Sequence, residues 1–263
     1  MPTRKIICMG DTHCGHVAGL TPPSWEAKGT RGLAGKLAPL RSECWKWFEK
    51  TVKKLGPFDG CIFNGDGIDG DGGRSGGTEL LTVDRGEQAA MAAECLGVVG
   101  APRIWQTYGT AYHTGQVEDF EDYIQEFVPD AKVTIGSHEW PEVNGLIFDV
   151  KHHLGSSSVP HGRHTASSRD HTWNIMWNEI GQQPKAHVFL RSHVHYHQYC
   201  GGPGWLAMTL PPLQAAATKY GARRCSGTVD FGFVVFEIDN KGAYSWQPHI
   251  LRPVNQRART SKL

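Results

Sequence analysis

No Cys-x-x-Cys pair occurs among the seven cysteines, which are scattered at positions 8, 14, 44, 61, 95, 200 and 225. An odd, unpatterned set argues against a disulfide framework and for a chain that keeps its thiols reduced. No apolar run approaches the roughly 18–20 residues needed to cross a bilayer. The start, Met1-Pro2-Thr3-Arg4-Lys5, lacks the apolar core of a signal peptide. A cytoplasmic protein with no membrane partner is therefore expected. Excess charge of one sign is missing too: 27 Lys plus Arg stand against 26 Asp plus Glu. No overall field draws the chain to nucleic acid, although a local basic groove is compatible with a neutral total. Internal repeats are absent, and so is a Gly-Lys-Ser/Thr phosphate loop, despite six glycines in the twelve positions 67–78. That stretch reads as a flexible rim.

What is present is globular composition over 263 residues, 39% hydrophobic and 20% charged, with 32 Gly and 15 Pro. It excludes disorder, coiled coil and collagen, and the length suffices for a substantial core. Strand signals fall at 5–9, 61–63, 103–107, 146–151, 186–190, 204–209, 228–238 and 243–250. Helical spacing of apolar residues runs over 40–55, 84–96, 117–127 and 165–180, whereas the Gly- and Pro-rich 15–37 reads as a long loop. The tryptophans of 165–180, Trp173 and Trp177, are expected in the core with Ile175, Met176 and Ile180. Strands alternating with helices and ending in a β-rich segment predict a layered α/β fold. One domain is expected over 1–251, followed by a basic tail over 252–263 carrying Arg252, Arg257, Arg259 and Lys262. The tail reads as solvated, with a phosphate-contacting arm as the alternative.

Fourteen histidines exceed what packing requires, and their places are informative. Asp11-Thr12-His13 follows the first strand, Asp66 the second, and Gly109-Thr110-Ala111-Tyr112-His113 the third. His152-His153 follows the fourth, and Ser192-His193-Val194-His195 the fifth. Ligands of open α/β sheets bind beyond the carboxyl ends of strands, so these groups are predicted to converge. On extended chain, Asp-x-His and His-x-His point both side chains one way, offering two ligands to one centre. Oxygen plus imidazole donors suit manganese, iron or zinc rather than calcium or magnesium alone. A carboxylate between two such ions can bridge them, an arrangement suited to in-line attack on phosphorus.

The order Asp11-x-His13, Gly65-Asp66-x-x-Asp69, a Gly-started loop with a His, a strand-end His and His193-x-His195 resembles the calcineurin-like metallophosphoesterase superfamily. The resemblance spans residues 4–200 and implies a four-layer α/β/β/α sandwich of two mixed sheets with the metals at its edge. Carried over, it implies that Asp11, His13, Asp66 and His195 bind the first ion. Asp66 would bridge, and His193 with His152 (or His153) would bind the second. Asp69 takes the position with a structural role. One motif departs: Thr110 stands where the family has a ligand Asn. His113, two positions later than the usual His, is then the general acid or itself a ligand. The Gly-Thr-x-x-His form resembles a phage and prophage branch.

The reading is a hydrolase with two divalent ions, manganese first and iron, zinc or nickel otherwise. A metal-bridging hydroxide held by Asp66 would attack phosphorus. A phosphodiester or nucleic acid is favoured as substrate, with a phosphomonoesterase as the alternative enzyme. A non-catalytic metal-binding or scaffold module is the alternative from another class, favoured by Thr110. Arg163 and Arg169 are candidates for substrate phosphate. His161, His164 and His171 are read as ordinary surface histidines, and His197 as a supporting group or a surface one. Cys14 with His16 resembles half a metal knuckle that lacks its partner. A metallo-β-lactamase fold is disfavoured, because His193-x-His195-x-His197 lacks the Asp-His ending.

Overall fold

A computed structural model describes residues 2–73, 75–115, 119–155, 157, 159–216, 229–254 and 260–261. Cys225, Val117, Thr228 and the tail residues Arg257, Arg259 and Lys262 lie outside the described residues. The strands are β1 (Arg4–Met9), β2 (Gly60–Asn64), β3 (Arg103–Thr107), β4 (Lys132–Gly136), β5 (Glu142–Val143) and β6 (Leu146–Val150). They continue with β7 (Val188–Arg191), β8 (Gln198–Gly202), β9 (Trp205–Thr209), β10 (Phe231–Ile238) and β11 (Tyr244–Leu251). The helices are α1 (Gly32–Leu55), α2 (Arg85–Val99), the single turn α3 (Ala111–Thr114) and α4 (Arg163–Glu179).

Two mixed sheets form, one ordered β11-β10-β1-β2-β3-β4 and the other β5-β6-β7-β9-β8. Period-two alternation divides their side chains between two cores. Ile7, Met9, Cys61 and Phe63 face Leu40, Cys44, Phe48 and Val52 of α1 and Met91, Cys95 and Leu96 of α2. Ile6, Cys8, Ile62, Val234 and Phe236 face Phe148, Val150, Val188, Leu190 and Met208 of the second sheet. On that sheet's outer side, Phe189 and Ala207 lie beneath α4. The layers are helix, sheet, sheet, helix, as the resemblance implies. Burial of both faces explains why the central strands are near-continuous apolar runs.

Several elements differ from the sequence reading. Within 15–37, a 3₁₀ turn occupies Pro23–Gly29 and α1 begins at Gly32. Pro39 sits inside α1, costing one backbone bond, while Leu37 packs on the core; tertiary burial overrides the local breakers. The acidic segment is a 3₁₀ helix over Phe120–Phe127. The short strands β4, β5 and β8 carry weak signals; β8 contains Gly201-Gly202 at a sheet edge.

Helix α4 departs most. Trp173, Met176, Trp177 and Ile180 are 46%, 53%, 41% and 61% exposed. The face against the sheet is instead small or polar, with Ala166, Ser167 and Asn174 buried. Trp173 and Trp177 wall a cavity of about 280 Å³ that Asp149, Asp170 and Arg191 also line. Among the described residues, no helix is long and apolar enough to cross a membrane. The start of the basic tail is anchored: Arg252 pairs with Asp230 at 2.7 Å and the Val254 N–H donates to Glu43 Oε1 at 2.8 Å.

Candidate metal centre

The carboxyl ends of β1, β2 and β3 meet those of β6 and β7 along one edge of the sandwich. Backbone bonds lace the loops together. Asp11 N–H donates to Gly65 O at 2.9 Å, His13 N–H to Asp66 O at 2.9 Å, and Ser192 N–H to His152 O at 2.8 Å. Between the sheets, Asn64 Nδ2 donates to Ser192 Oγ at 3.0 Å, and His193 N–H donates to the Asp11 carboxylate at 3.1 Å.

Asp11, His13, Asp66, His193 and His195 have φ of 48°, 42°, 49°, 73° and 54°. Asn144 is the only other described non-glycine residue in the left-handed region. Each such conformation costs roughly 1–3 kcal/mol and persists where surrounding structure imposes it. This corrects the reasoning from extended chain. Asp11 and His13 do share a site, and so do His193 and His195 with them, but left-handed turns aim the side chains inward.

Three groups of donor atoms result, each within 4.8 Å mutually: Asp11, His13 and His195; Asp66, His152 and His193; His13, Asp69 and His113. His13 Nε2 lies 3.8 Å from both Asp11 Oδ1 and Asp66 Oδ2, and 3.2 Å from His195 Nε2. His152 Nε2 lies 2.9 Å from Asp66 Oδ2 and 3.9 Å from Asp11 Oδ1. Opposite ring nitrogens are held from behind: His13 Nδ1 by Asp69 Oδ1 at 2.8 Å, and His152 Nδ1 by Asn64 O at 2.8 Å. With Nδ1–H given to a carbonyl, His152 Nε2 faces the site. That buried atom faces Asp66 Oδ2 across 2.9 Å. An imidazole nitrogen and a carboxylate oxygen held side by side are what two ligands of one cation present.

His152 is buried and His153 exposed, with the His153 ring 4.8 Å from that of His193. Gly65, at φ 68°, makes room for the buried ring: a Cβ there would lie 2.6 Å from His152 Nδ1. Thr110 contributes its N–H to Asp66 Oδ1 at 2.6 Å, and its Oγ1 lies 3.3 Å from Asp66 Oδ2 and 3.2 Å from His193 Nδ1. His113 Nδ1 is 2.9 Å from Asp69 O and 3.5 Å from Asp69 Oδ1.

Electrostatics couple these groups. Burial opposes ionisation of Asp11, but His195 and hydrogen bonds from His13 outweigh it and hold the carboxyl well below its ordinary range. Asp66 is likewise held low against burial by His152 and His113. Burial would lower His152, yet Asp66 pushes it up to about 9; burial lowers His193 to about 4. Bare of cations, the centre thus stores protons that divalent ions would displace.

Sequence reasoning missed Glu121. Fully buried, its carboxylate accepts from Gly67 N–H at 2.5 Å and Gly109 N–H at 2.7 Å, tying together the loops that carry Asp66 and Thr110. Burial, reinforced by the charge of Asp66, pushes it up to about 7. An acidic run on a short helix gives no signal of such a role.

Comparison with known proteins places the architecture. No protein-family model and no curated protein matches the chain. Vacuolar protein sorting 29 from Cryptosporidium parvum superposes with a TM-score of 0.50 at 8% identity, over 95% of this chain and 99% of that one. The chain shares that protein's fold, a two-sheet sandwich flanked by helices. Vps29 from Entamoeba histolytica complexed with zinc is also similar, with a TM-score of 0.42 at 10% identity over 94% and 98% of the two chains. A novel archaeal phosphodiesterase gives a TM-score of 0.44 at 13% identity over 93% and 99%.

Away from this strand-end edge, the other candidates sit as follows. Cys14 turns away from His16 into the core, its Sγ 3.3 Å from Leu20 O, so the half-knuckle does not form. His171 stacks on Trp205 at 4.1 Å, and Trp25 donates to Glu94 at 3.1 Å. His197 Nδ1 lies 2.7 Å from Thr209 O. Arg169 is exposed on α4, whereas the Arg163 guanidinium lies 4.1 Å over the ring of Tyr196.

Proposed function

We propose that this protein is a phosphoester hydrolase using two divalent metal ions, with a phosphodiester as its favoured substrate. The observation that carries the reading is the pair of donor groups sharing one edge, with His152 Nε2 set against Asp66 Oδ2 in one of them. Asp11, His13 and His195 would hold the first ion. His152 and His193 would hold the second, with Asp66 set between. Manganese is the ion placed first, with iron, zinc and nickel behind it. Bound ions would neutralise charge on the phosphoryl oxygens and supply a water acidic enough to attack phosphorus near neutral pH.

The chain's own groups do the rest. Asp69 engages both His13 and His113 through their Nδ1 atoms, which leaves Nε2 of each for the chemistry. A proton on His113 Nε2 would pass to the leaving oxygen, the general-acid role. Thr110 is engaged with Asp66 and His193, which supports a positioning role for its hydroxyl rather than that of a strong ligand. The same residue favours the second reading, a metal-binding or scaffold module without turnover.

The test is hydrolysis of bis-p-nitrophenyl phosphate and p-nitrophenyl phosphate by metal-stripped protein, with manganese, nickel, zinc or magnesium restored. Metal-dependent turnover favouring the diester is expected. Preference for the monoester would make it a phosphatase. Absence of turnover in folded protein that binds two ions would favour the scaffold.

A further inference from the structure

Three buried polar atoms gather where the first turn of α4 meets the segment after His195. These are Arg163 Nε and Gln198 Oε1, both without partners, and Tyr196 Oη, which lies by the Ser157 backbone N–H and whose own proton has no acceptor. Tyr196 is 9% and Gln198 8% exposed, so water does not satisfy them. Arg163 and Ser167 share one face of α4, four residues apart. Arg163 stacks on the Tyr196 ring at 4.1 Å, and Ser167 Oγ accepts from Gln198 Nε2 at 2.7 Å. Among the described residues, no carboxylate pairs with the Arg163 guanidinium.

Position gives this cluster its meaning. Strands β6 and β7 are parallel and α4 connects them, so the helix begins at the end of the sheet where His152 and His193 stand. Tyr196 directly follows His195. From these observations we infer that Arg163 and Tyr196 form an anion subsite beside the metal centre, which takes a second phosphate of the substrate, next to the one hydrolysed. This deepens the proposed function and rests on it. The Arg163 fork and the Tyr196 O–H supply donors to an oxyanion, and the stacked ring fixes the fork in place. Gln198 Oε1 would repel the anion as it stands. Ser167, whose hydroxyl can donate as well as accept, allows the amide to turn over and present Nε2 instead. Substrates of the class expected are nucleotides or strands in which phosphates follow one another.

The experiment compares the p-nitrophenyl ester of thymidine 5′-phosphate bearing a 3′-hydroxyl with the same ester bearing a 3′-phosphate. For the metal-loaded wild type, the 3′-phosphate should raise kcat/KM by about tenfold, chiefly through KM, the worth of one charge-assisted contact. In Arg163→Ala that ratio should fall to about one, and Arg163→Lys should keep part of it. Tyr196→Phe, which preserves the ring, should also lower the ratio, and it decides the matter if Arg163→Ala fails to fold. A wild-type ratio near one, or a ratio unchanged in both variants, overturns the subsite and leaves the proposed hydrolase standing. If wild type turns over neither ester, the hydrolase reading fails. Calorimetry with thymidine 3′,5′-bisphosphate then tests the subsite alone. Binding weakened about tenfold in Arg163→Ala or Tyr196→Phe supports it, and equal affinities overturn it.

Discussion

Glu121→Gln separates the charge of this buried carboxylate from its shape. Protonated Glu121 and Gln are near-isosteric, but protonated Glu keeps an oxygen for each of the Gly67 and Gly109 N–H groups, whereas Gln turns its NH2 toward one of them. Below the ordinary carboxyl value of 4.5, Glu121→Gln should therefore be the less stable protein by about 1–3 kcal/mol, the cost of one buried N–H left without an acceptor. Burial and Asp66 raise the folded-state value to about 7, so the folded protein holds a proton that the unfolded chain has released. Stability from this group is full below 4.5 and is lost as pH rises through about 7. A rise from 4.5 to about 7 corresponds to roughly 3 kcal/mol on full ionisation. The two N–H···O⁻ bonds already lower that value, so their benefit is not counted again. Urea unfolding of metal-free protein, followed by tryptophan fluorescence, should show the difference between Glu121→Gln and wild type move in favour of the variant by about 2–3 kcal/mol between pH 4.5 and pH 8. Metal ions beside Asp66 would favour the ionised carboxylate, so their addition should shrink or reverse the gain. A difference that stays constant from pH 4.5 to 8 would refute the reasoning.

Other substitutions read other parts of the account. Gly109→Ala places a methyl group against the Asp66 backbone N and Oδ1; a loss of about 2–3 kcal/mol or more, together with metal binding, is expected by thermal melting and calorimetry. His152→Ala should lower bound manganese from two ions to one per chain and cut turnover by about a hundredfold or more, whereas His153→Ala should leave the stoichiometry intact. Arg191, 3% exposed, bonds Asp149 and Asp170 at 2.7 Å each, so Asp149→Ala removes one of its two carboxylates, leaves Asp170, and should cost about 1.5–3 kcal/mol in urea unfolding. Because His152 is raised to about 9, manganese binding to metal-free protein near pH 7.5 should release protons into weakly buffered solution, and His152→Ala should release fewer.

The edge of the fold was legible because its chemistry is local. Asp11, Asp66 and His152 each follow an apolar run by one or two residues, and strand ends are where α/β proteins build sites. Hydrophobic runs likewise foretold β1, β2, β3, β6 and β7. Legibility failed where an answer depends on what lies across space. Spacing in α4 groups Trp173, Met176 and Trp177 correctly on one side, yet cannot say that Ser167 and Asn174 form the docked face. Choosing His152 over His153 for burial takes Gly65 and Asn64 from another strand. The left-handed backbone at Asp11, His13, Asp66, His193 and His195 has no compositional mark, since none of these residues is glycine. Glu121 was invisible for the same reason: its partners are backbone N–H groups far away in sequence.

The central claim is that one buried edge holds two ions with Asp66 between them. Metal-stripped protein, equilibrated with manganese and passed over a desalting column, can be assayed for bound metal per chain by mass spectrometry beside Asp66→Asn. Two ions per wild-type chain and at most one in the variant are expected. Wild-type protein that is folded and binds no ion would contradict the account.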